Sequence, residues 1–491
     1  MKIVKYTLFV LLISIFSLSS TAQVNLQTIL LHGKVTCQGE GIKNVAVTDG
    51  INIVSTNSEG KYTLLTNATT DFVYISVPAG YKVPIENKTP VFHHRLTDKT
   101  SLKQEFNFDL QRLPNNEEKH SLVVWADPQV YSDDDLAYVQ ESAEDVVTHL
   151  QKTAPNTPAY GMVVGDMVGD ANAEPLFYDR MKDIIASTGI PFFYLPGNHD
   201  ILYYVRSDRP SKELYKQTFG PTYYSFDRGK IHYIVLDNCF YNGNTWYYIG
   251  YLPENQLEWL EQDLARVEKG STIVISMHIP AYSQHARKGE WGKEKPSSVL
   301  QNRSHLFKML DGYNVHIMSG HIHETDNYII QKNIYEHNHP AICGLFYESE
   351  LCKDGTRRGY TVYLFDGDSV TWHYKAVGQP DNIQFKLYNV GEHHQKPESI
   401  VANVWNYDSE WKIYWYEDGV KMGEMKKFAG IDTEINEFVK KNRQNFKHSW
   451  ANASSTDHLF FATPKSTSST IKVEVIDRFG NIFTQEISNK K

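Results

Sequence analysis

Five apolar runs in the middle of the chain each end in side chains that bind divalent cations. SLVVWA leads to Asp127 and Gln129, YGMVV to Gly165-Asp166, and PFFYL to Pro196-Gly-Asn198-His199-Asp200. STIVISM leads to His278, and VHIMS to Gly320-His321-Ile-His323. Carboxylates, amide oxygens and neutral imidazoles are the donors that two neighbouring divalent ions take up, and one carboxylate can bridge both. On an extended segment His321 and His323 would point the same way and serve adjacent ions. With Asp127 and Asp166 as the only anionic donors, a pair of divalent ions keeps a positive excess, which suits an anionic substrate such as a phosphate. Taken singly, each motif is an ordinary turn or a core histidine. Their occurrence together, in order, sets them apart.

The elements that must position these residues follow an α/β rhythm from about His120 to Lys375. Helical stretches are expected near Asp134–Lys152 and Glu174–Ser187, and in PENQLEWLEQDLARV, where Leu257, Leu260 and Leu264 share a face. In open α/β sheets the loops at the carboxyl ends of the strands converge on one crevice, so donors placed there can meet. Before this region, residues from about Leu30 to Leu110 read as short strands separated by Gly and Asn/Asp turns, the pattern of a small β-sandwich. After it, EWKIYWYEDG and IKVEVIDRFGNIFTQEI alternate in the manner of strands, with a helical insert TEINEFVKKN between them. The expected division is 28–112 for an N-terminal β-sandwich, 119–376 for the catalytic domain and 382–490 for a C-terminal β-rich domain.

A chain of 491 residues, 41% apolar and 13% aromatic, has room for about two to four domains with real cores. Its net charge of −9 supplies no general field for nucleic acid, so no nucleic-acid partner is expected. At the front, Lys2 and Lys5 precede an apolar run from Tyr6 to Leu18 and the small-residue pattern Ser20-Thr21-Ala22. This reads as a signal peptide, residues 1–22, and implies an exported, periplasmic or extracellular protein. No long apolar segment follows, so no membrane span is expected once the signal is removed. The four cysteines form no zinc cluster; Cys343 and Cys352 are either a local disulfide or free buried thiols.

D-x-Q, GDMVGD, PGNHD, MHIP and GHIH together resemble the five ordered blocks of the calcineurin-like metallophosphoesterases, whose first block is usually D-x-H. The likeness runs from about Ser121 to Glu324. The flanking segments, GKVTCQGEGIKNVAVTDG above all, are similar to the small β-domains of exported bacterial members. The resemblance implies a sandwich of two mixed sheets flanked by helices. It implies that Asp127, Gln129, Asp166 and His323 hold one divalent ion, with Asp166 bridging to a second held by Asn198, His278 and His321. The ions would be manganese, iron, zinc or magnesium. His199 would face the phosphate, and a metal-bound hydroxide would hydrolyse a phosphate mono- or diester of a small molecule, glycan or envelope component.

This chain departs from the pattern in two places. Where many relatives carry an Asp to orient the catalytic histidine there is Gly169, leaving Asp170 or Asp200 as the partner of His199. Gln129 replaces a histidine, and its harder, usually weaker amide oxygen would either favour manganese or magnesium over zinc or lower the occupancy of that site. Trp246, Tyr247, Tyr248, the loop Ser283–Trp291 and the segment Glu336–Glu350 would shape the substrate pocket. His337 and His339 read as surplus loop histidines, and Arg287 and Lys288 as phosphate contacts or solvated cations. The competing expectation is an envelope- or carbohydrate-binding protein built on a catalytically weak core.

Overall fold

A computed structural model describes residues 28–244, 247–288 and 295–488. The expected signal segment, Trp246 and residues 289–294 of the expected pocket loop lie outside them.

The central region is built from two mixed sheets packed face to face. The first has the order β3-β2-β1-β12-β13, with β1 Lys119–Trp125, β2 Ala159–Val163, β3 Phe192–Tyr194, β12 Gly359–Asp366 and β13 Ser369–Ala376. Strands β1, β2 and β3 run parallel, and β12 closes antiparallel onto β1 with Val123 opposite Val362. The second has the order β4-β5-β8-β9-β11-β10, with β4 Tyr224–Arg228, β5 Ile231–Val235, β8 Thr272–Ser276, β9 Asn314–Ser319, β10 Asp326–Gln331 and β11 Ile334–Asn338. A hairpin of β6 Cys239–Asn244 and β7 Tyr247–Gly250 stands beside it.

Burial on both faces explains why these strands read as continuous apolar runs. Along β1 the residues alternate between two cores. Leu122, Val124 and Ala126 join Met162, Val235, Val274 and Met318 between the sheets. Val123 and Trp125 face the other way, under Val139, Ala143 and Val146 of α1 (Asp133–Thr153) and Met181 and Ile185 of α2 (Phe177–Ala186). The second sheet is covered by Leu257, Trp259, Leu260 and Leu264 of α3 (Glu254–Leu264) and Leu306 of α4 (Arg303–Met309). Helix α1 starts where the Asp135 carboxylate accepts the backbone N–H groups of Tyr131 and Ser132 at 3.0 and 2.9 Å.

The N-terminal region is a β-sandwich. Thr28–Cys37 is the centre of its five-stranded sheet, and Ala46–Thr48 and Phe72–Ile75 are the inner strands of its four-stranded sheet. Its core runs without a break into the inter-sheet core of the central region, through Tyr74, Val77, Phe92, Tyr224 and Phe226. The C-terminal region contains two antiparallel four-stranded sheets around Trp411, Trp415, Phe460 and Val473, with helix α5 Thr433–Asn442 inserted. It is pinned to the central region by hydrogen bonds from Asn327 to Asn406, from Tyr335 to Asp408 and from Asn403 to the carbonyl of Asp354.

Three local expectations are corrected. His321 and His323 do not lie on an extended segment; both sit in bends after β9 with φ of 73° and 55°. His337 is not in a loop but within β11, and His339 follows it directly, both fully buried. Arg287 is neither solvated nor aimed at a ligand, because its guanidinium pairs with Asp326 and Asp457. No helix among the described residues is long and apolar enough to cross a membrane.

Candidate metal centre

The strands deliver their donors through unusual backbone. Asp127, Gln129, Asp166, His321 and His323 all have φ between 41° and 73°, the left-handed region that costs a non-glycine residue about 1 kcal/mol or more. Five such residues in one place must be held by their surroundings. The Asp127 carboxylate accepts the His321 N–H at 2.9 Å, and the Asp166 carbonyl accepts the Gln129 N–H at 2.8 Å. The Asp166 carboxylate accepts the His199 N–H at 2.8 Å. Asp200 is the clamp behind them: its carboxylate accepts the N–H of Asp166, Met167 and Gly197 and the hydroxyl of Tyr178. Gly320 has to be glycine, since a Cβ there would stand 2.6 Å from an Asp127 oxygen.

These turns bring all seven expected ligands together. His278 Nε2 lies 3.2 Å from Asp166 Oδ2, from Asn198 Oδ1 and from His321 Nδ1. The ligand atoms of Asp166, His278 and His321 fall within 4.8 Å of one another. Gln129 Nε2 approaches the same Oδ2 at 3.2 Å, and His323 Nε2 lies 3.6 Å from Asp127 Oδ1. Asp166 thus contacts members of both expected donor groups, as a bridging carboxylate must. The imidazoles are oriented for coordination as well. His278 Nδ1 is hydrogen-bonded to the Val164 carbonyl and His321 Nε2 to that of Ser297, which directs the other ring nitrogen of each into the centre.

Electrostatics fit a cation pair. Burial pushes Asp127 up to about 8. Burial also opposes the charge on Asp166, but His278 and His199 outweigh it and hold this carboxyl below the usual range. Burial drives His323 down to about 3 and His321 well below its ordinary value, so both are neutral, the form that ligates metals. Burial opposes protonation of His278 too, yet Asp166 outweighs it and raises the group to about 9. Among the described residues the ion-pair partners of both carboxylates are histidines, with no lysine or arginine bridging to either. Two buried carboxylates with imidazole and amide neighbours form a donor set that two divalent ions satisfy.

His199 stands half-buried at the edge of this set, and its orienting partner is neither Asp170 nor Asp200. Its Nδ1 is hydrogen-bonded to the backbone carbonyl of Gly169, the very residue that replaces the usual carboxylate. Asp170 is turned to Asn172 instead, and Asp200 is the backbone clamp. A side chain at 169 has no room, because a Cβ would lie 2.1 Å from the Tyr131 ring. Tyr131 in turn meets His199 edge-on, with centroids 6.4 Å apart.

The segment Glu336–Glu350, expected to shape the pocket, supplies several neighbours whose individual roles the sequence does not distinguish. Cys343 is a free, buried thiol whose Sγ lies 3.7 Å from His323 Nδ1 and 3.9 Å from Gln129 Oε1. Cys352 is likewise free, so the two form no disulfide. Phe346 stacks on His323 with centroids 4.4 Å apart, and Tyr347 donates its hydroxyl to the Pro128 carbonyl. Tyr248 meets His321 edge-on at 5.9 Å, consistent with its expected place at the pocket. Glu336 is scaffold: it accepts the N–H groups of Ala281 and Tyr282 and the Ser319 hydroxyl. His339 is scaffold as well, bonded to the Ser319 carbonyl and the Tyr363 hydroxyl.

The calcineurin-like phosphoesterase family model matches residues 120–325. The models for the N terminal and C terminal of calcineurin-like phosphoesterases match 29–113 and 336–483. Among curated proteins, the chain is 27% identical over 190 residues to a 3',5'-cyclic-nucleotide phosphodiesterase of Nostoc sp., covering 38% of this chain and 62% of that protein. It is 30% identical over 257 residues to purple acid phosphatase 15 of Arabidopsis thaliana, covering 49% of this chain and 40% of that protein. The chain thus spans less than two thirds of the length of either relative. Among solved structures, a dimetal phosphatase from Danio rerio aligns at 13% identity with a TM-score of 0.36, over 53% of this chain and 97% of that one.

Proposed function

We propose that this chain, which belongs to the calcineurin-like phosphoesterases, is an exported hydrolase of phosphate mono- or diesters that works with two divalent cations. The observation that carries the reading is Asp166, a buried carboxylate whose Oδ2 is contacted by both Gln129 and His278, one from each expected donor group. Asp127, Gln129, Asp166 and His323 would hold one cation, and Asp166, Asn198, His278 and His321 the other. When bound, such a pair supplies Lewis acidity to the phosphoryl oxygens and makes water nucleophilic near neutral pH.

The chain's own residues supply orientation and a proton. With Nδ1 bonded to the Gly169 carbonyl, His199 has Nε2 left for a ligand. From there it can hydrogen-bond a phosphate oxygen or hand a proton to the departing alcohol oxygen. Tyr248 and Phe346 wall His321 and His323 with apolar rings, which limits water at the centre. Export is supported by the charged, apolar and small-residue order of residues 1–22. The substrate is a phosphorylated small molecule or a phosphorylated glycan of the envelope.

Names among the relatives include both a phosphodiesterase and a phosphatase, so both ester classes belong in the test. The full chain is titrated with manganese, zinc, magnesium or iron and assayed on a generic phosphomonoester and a phosphodiester. Turnover that depends on added metal supports the reading; absence of turnover with every metal rejects it.

A further inference from the structure

Trp450 is 57% exposed, although a tryptophan usually hides most of its surface. It belongs to the C-terminal region, on the loop that follows α5, yet its ring is continuous with the metal centre by two routes. In one, the indole lies 4.8 Å from His448, which is 4.3 Å from Tyr131, which meets His199 edge-on. In the other, the indole lies 6.2 Å from Phe346, which stacks on His323. The routes start at the two sides of the site and converge on one exposed ring.

The loop is fixed rather than trailing. The Glu348 carboxylate accepts the His448 N–H at 2.9 Å, and Arg443 donates to the carbonyls of Ser449 and Ala451. Ala451 is buried with Leu345, Leu351 and Ile435. Phe346 and Tyr347 are held at φ of 51° and 63°, a strained backbone for aromatic residues and one that presents the Phe346 ring to His323 and Trp450. The first route exists because residue 169 has no side chain: Tyr131 occupies that space and carries the stack outward.

We propose that Trp450, flanked by His448 and Phe346, forms a subsite contributed by the C-terminal region that receives a planar aromatic ring in the leaving group of the phosphoester. A ring suits this wall better than a sugar. The groups lining it are the aromatic rings of Trp450, His448 and Phe346, and the nearby Arg443 and Glu348 are engaged in holding the loop. The proposal rests on the phosphoesterase reading of the same site.

The test compares aryl with alkyl ligands in the metal-loaded full chain. Calorimetry measures phenylphosphonate against methylphosphonate, and kinetics measure kcat/KM for phenyl against methyl esters of phosphate. The wild-type chain is expected to prefer the aryl member in both. Trp450→Ala is expected to cut the aryl-to-alkyl ratio by roughly tenfold, the scale of losing one stacking platform. Trp450→Phe is expected to retain most of it. An aryl preference absent from the wild type, or unchanged in Trp450→Ala, overturns the proposal. If the wild type hydrolyses no ester at all, the phosphoesterase reading fails, and the phosphonate binding ratio still decides the subsite.

Discussion

His321-x-His323 and His337-x-His339 have the same spacing and lie at the ends of neighbouring parallel strands, yet they have opposite fates. The first pair lies past the end of β9 on left-handed backbone, and its rings meet carboxylates and imidazoles at the centre. The second continues the line of β11, and its rings enter the core between the sheets. There His337 contacts His316 at 2.9 Å and lies against Trp372, while His339 bonds to the Ser319 carbonyl and the Tyr363 hydroxyl. No carboxylate pairs with either ring among the described residues. Spacing alone therefore does not make a ligand pair. The backbone must break out of the strand, and an acid must be waiting.

The strongest test of that contrast removes the acid. Asp166→Asn is expected to lower kcat/KM by roughly 10³-fold or more and to reduce bound metal, read by elemental analysis of the same sample. Normal metal content with a full rate would refute the bridging assignment. Next, His323→Ala is expected to weaken metal binding by roughly 10- to 100-fold, whereas His337→Phe leaves metal stoichiometry unchanged. Equal metal loss in both variants would erase the distinction between the pairs.

A smaller effect is expected from Gln129→His, which restores the usual first block. Activity should persist within about tenfold while the preferred metal moves toward zinc, and an unaltered metal profile would show that Gln129 is not a ligand. The smallest concerns a histidine that has its acids but no site. His232 lies between Asp227 at 2.6 Å and Asp263 at 2.8 Å, both ring nitrogens engaged. Burial opposes its charge, but the two carboxylates outweigh burial and raise it to about 10. Because the folded value exceeds the ordinary 6.5, the stabilisation is complete below about pH 6.5 and fades as pH rises toward 10. His232→Gln should lower the melting midpoint by on the order of 5 °C at pH 6 and make little difference by pH 10. A deficit independent of pH would show that the ion pair is not the cause.

What the sequence made legible was the set of strand ends. Apolar runs buried on both faces leave a plain signature, and a polar residue after such a run stands out, so Asp127, Asp166 and His278 could be read directly. The left-handed turns at Asp127, Gln129 and His323 could not, because left-handed backbone is usually signalled by glycine and here side chains occupy it. Nor could the partner of His199 be read, since a backbone carbonyl has no residue type; only the absence of a carboxylate at Gly169 hinted at it. Tyr131, Phe346 and Trp450 look in sequence like any other aromatic residues. Tyr131 and Phe346 meet the site through contacts distant in sequence, and Trp450 reaches them only through the docking of the C-terminal region, which neither periodicity nor spacing records.

The antiparallel closure of β12 onto β1 has a consequence for biosynthesis. The strand that carries Asp127 stays an open edge on that side until residues 359–366 have been made, long after every ligand has emerged. Such a distant pairing is slow to form and leaves an aggregation-prone edge while it waits. Metal capture is therefore expected to follow completion of the chain. A truncation ending before Gly359, although it retains all seven donors, should bind metal poorly in equilibrium dialysis; full binding by that fragment would show that the centre assembles without the closing strand.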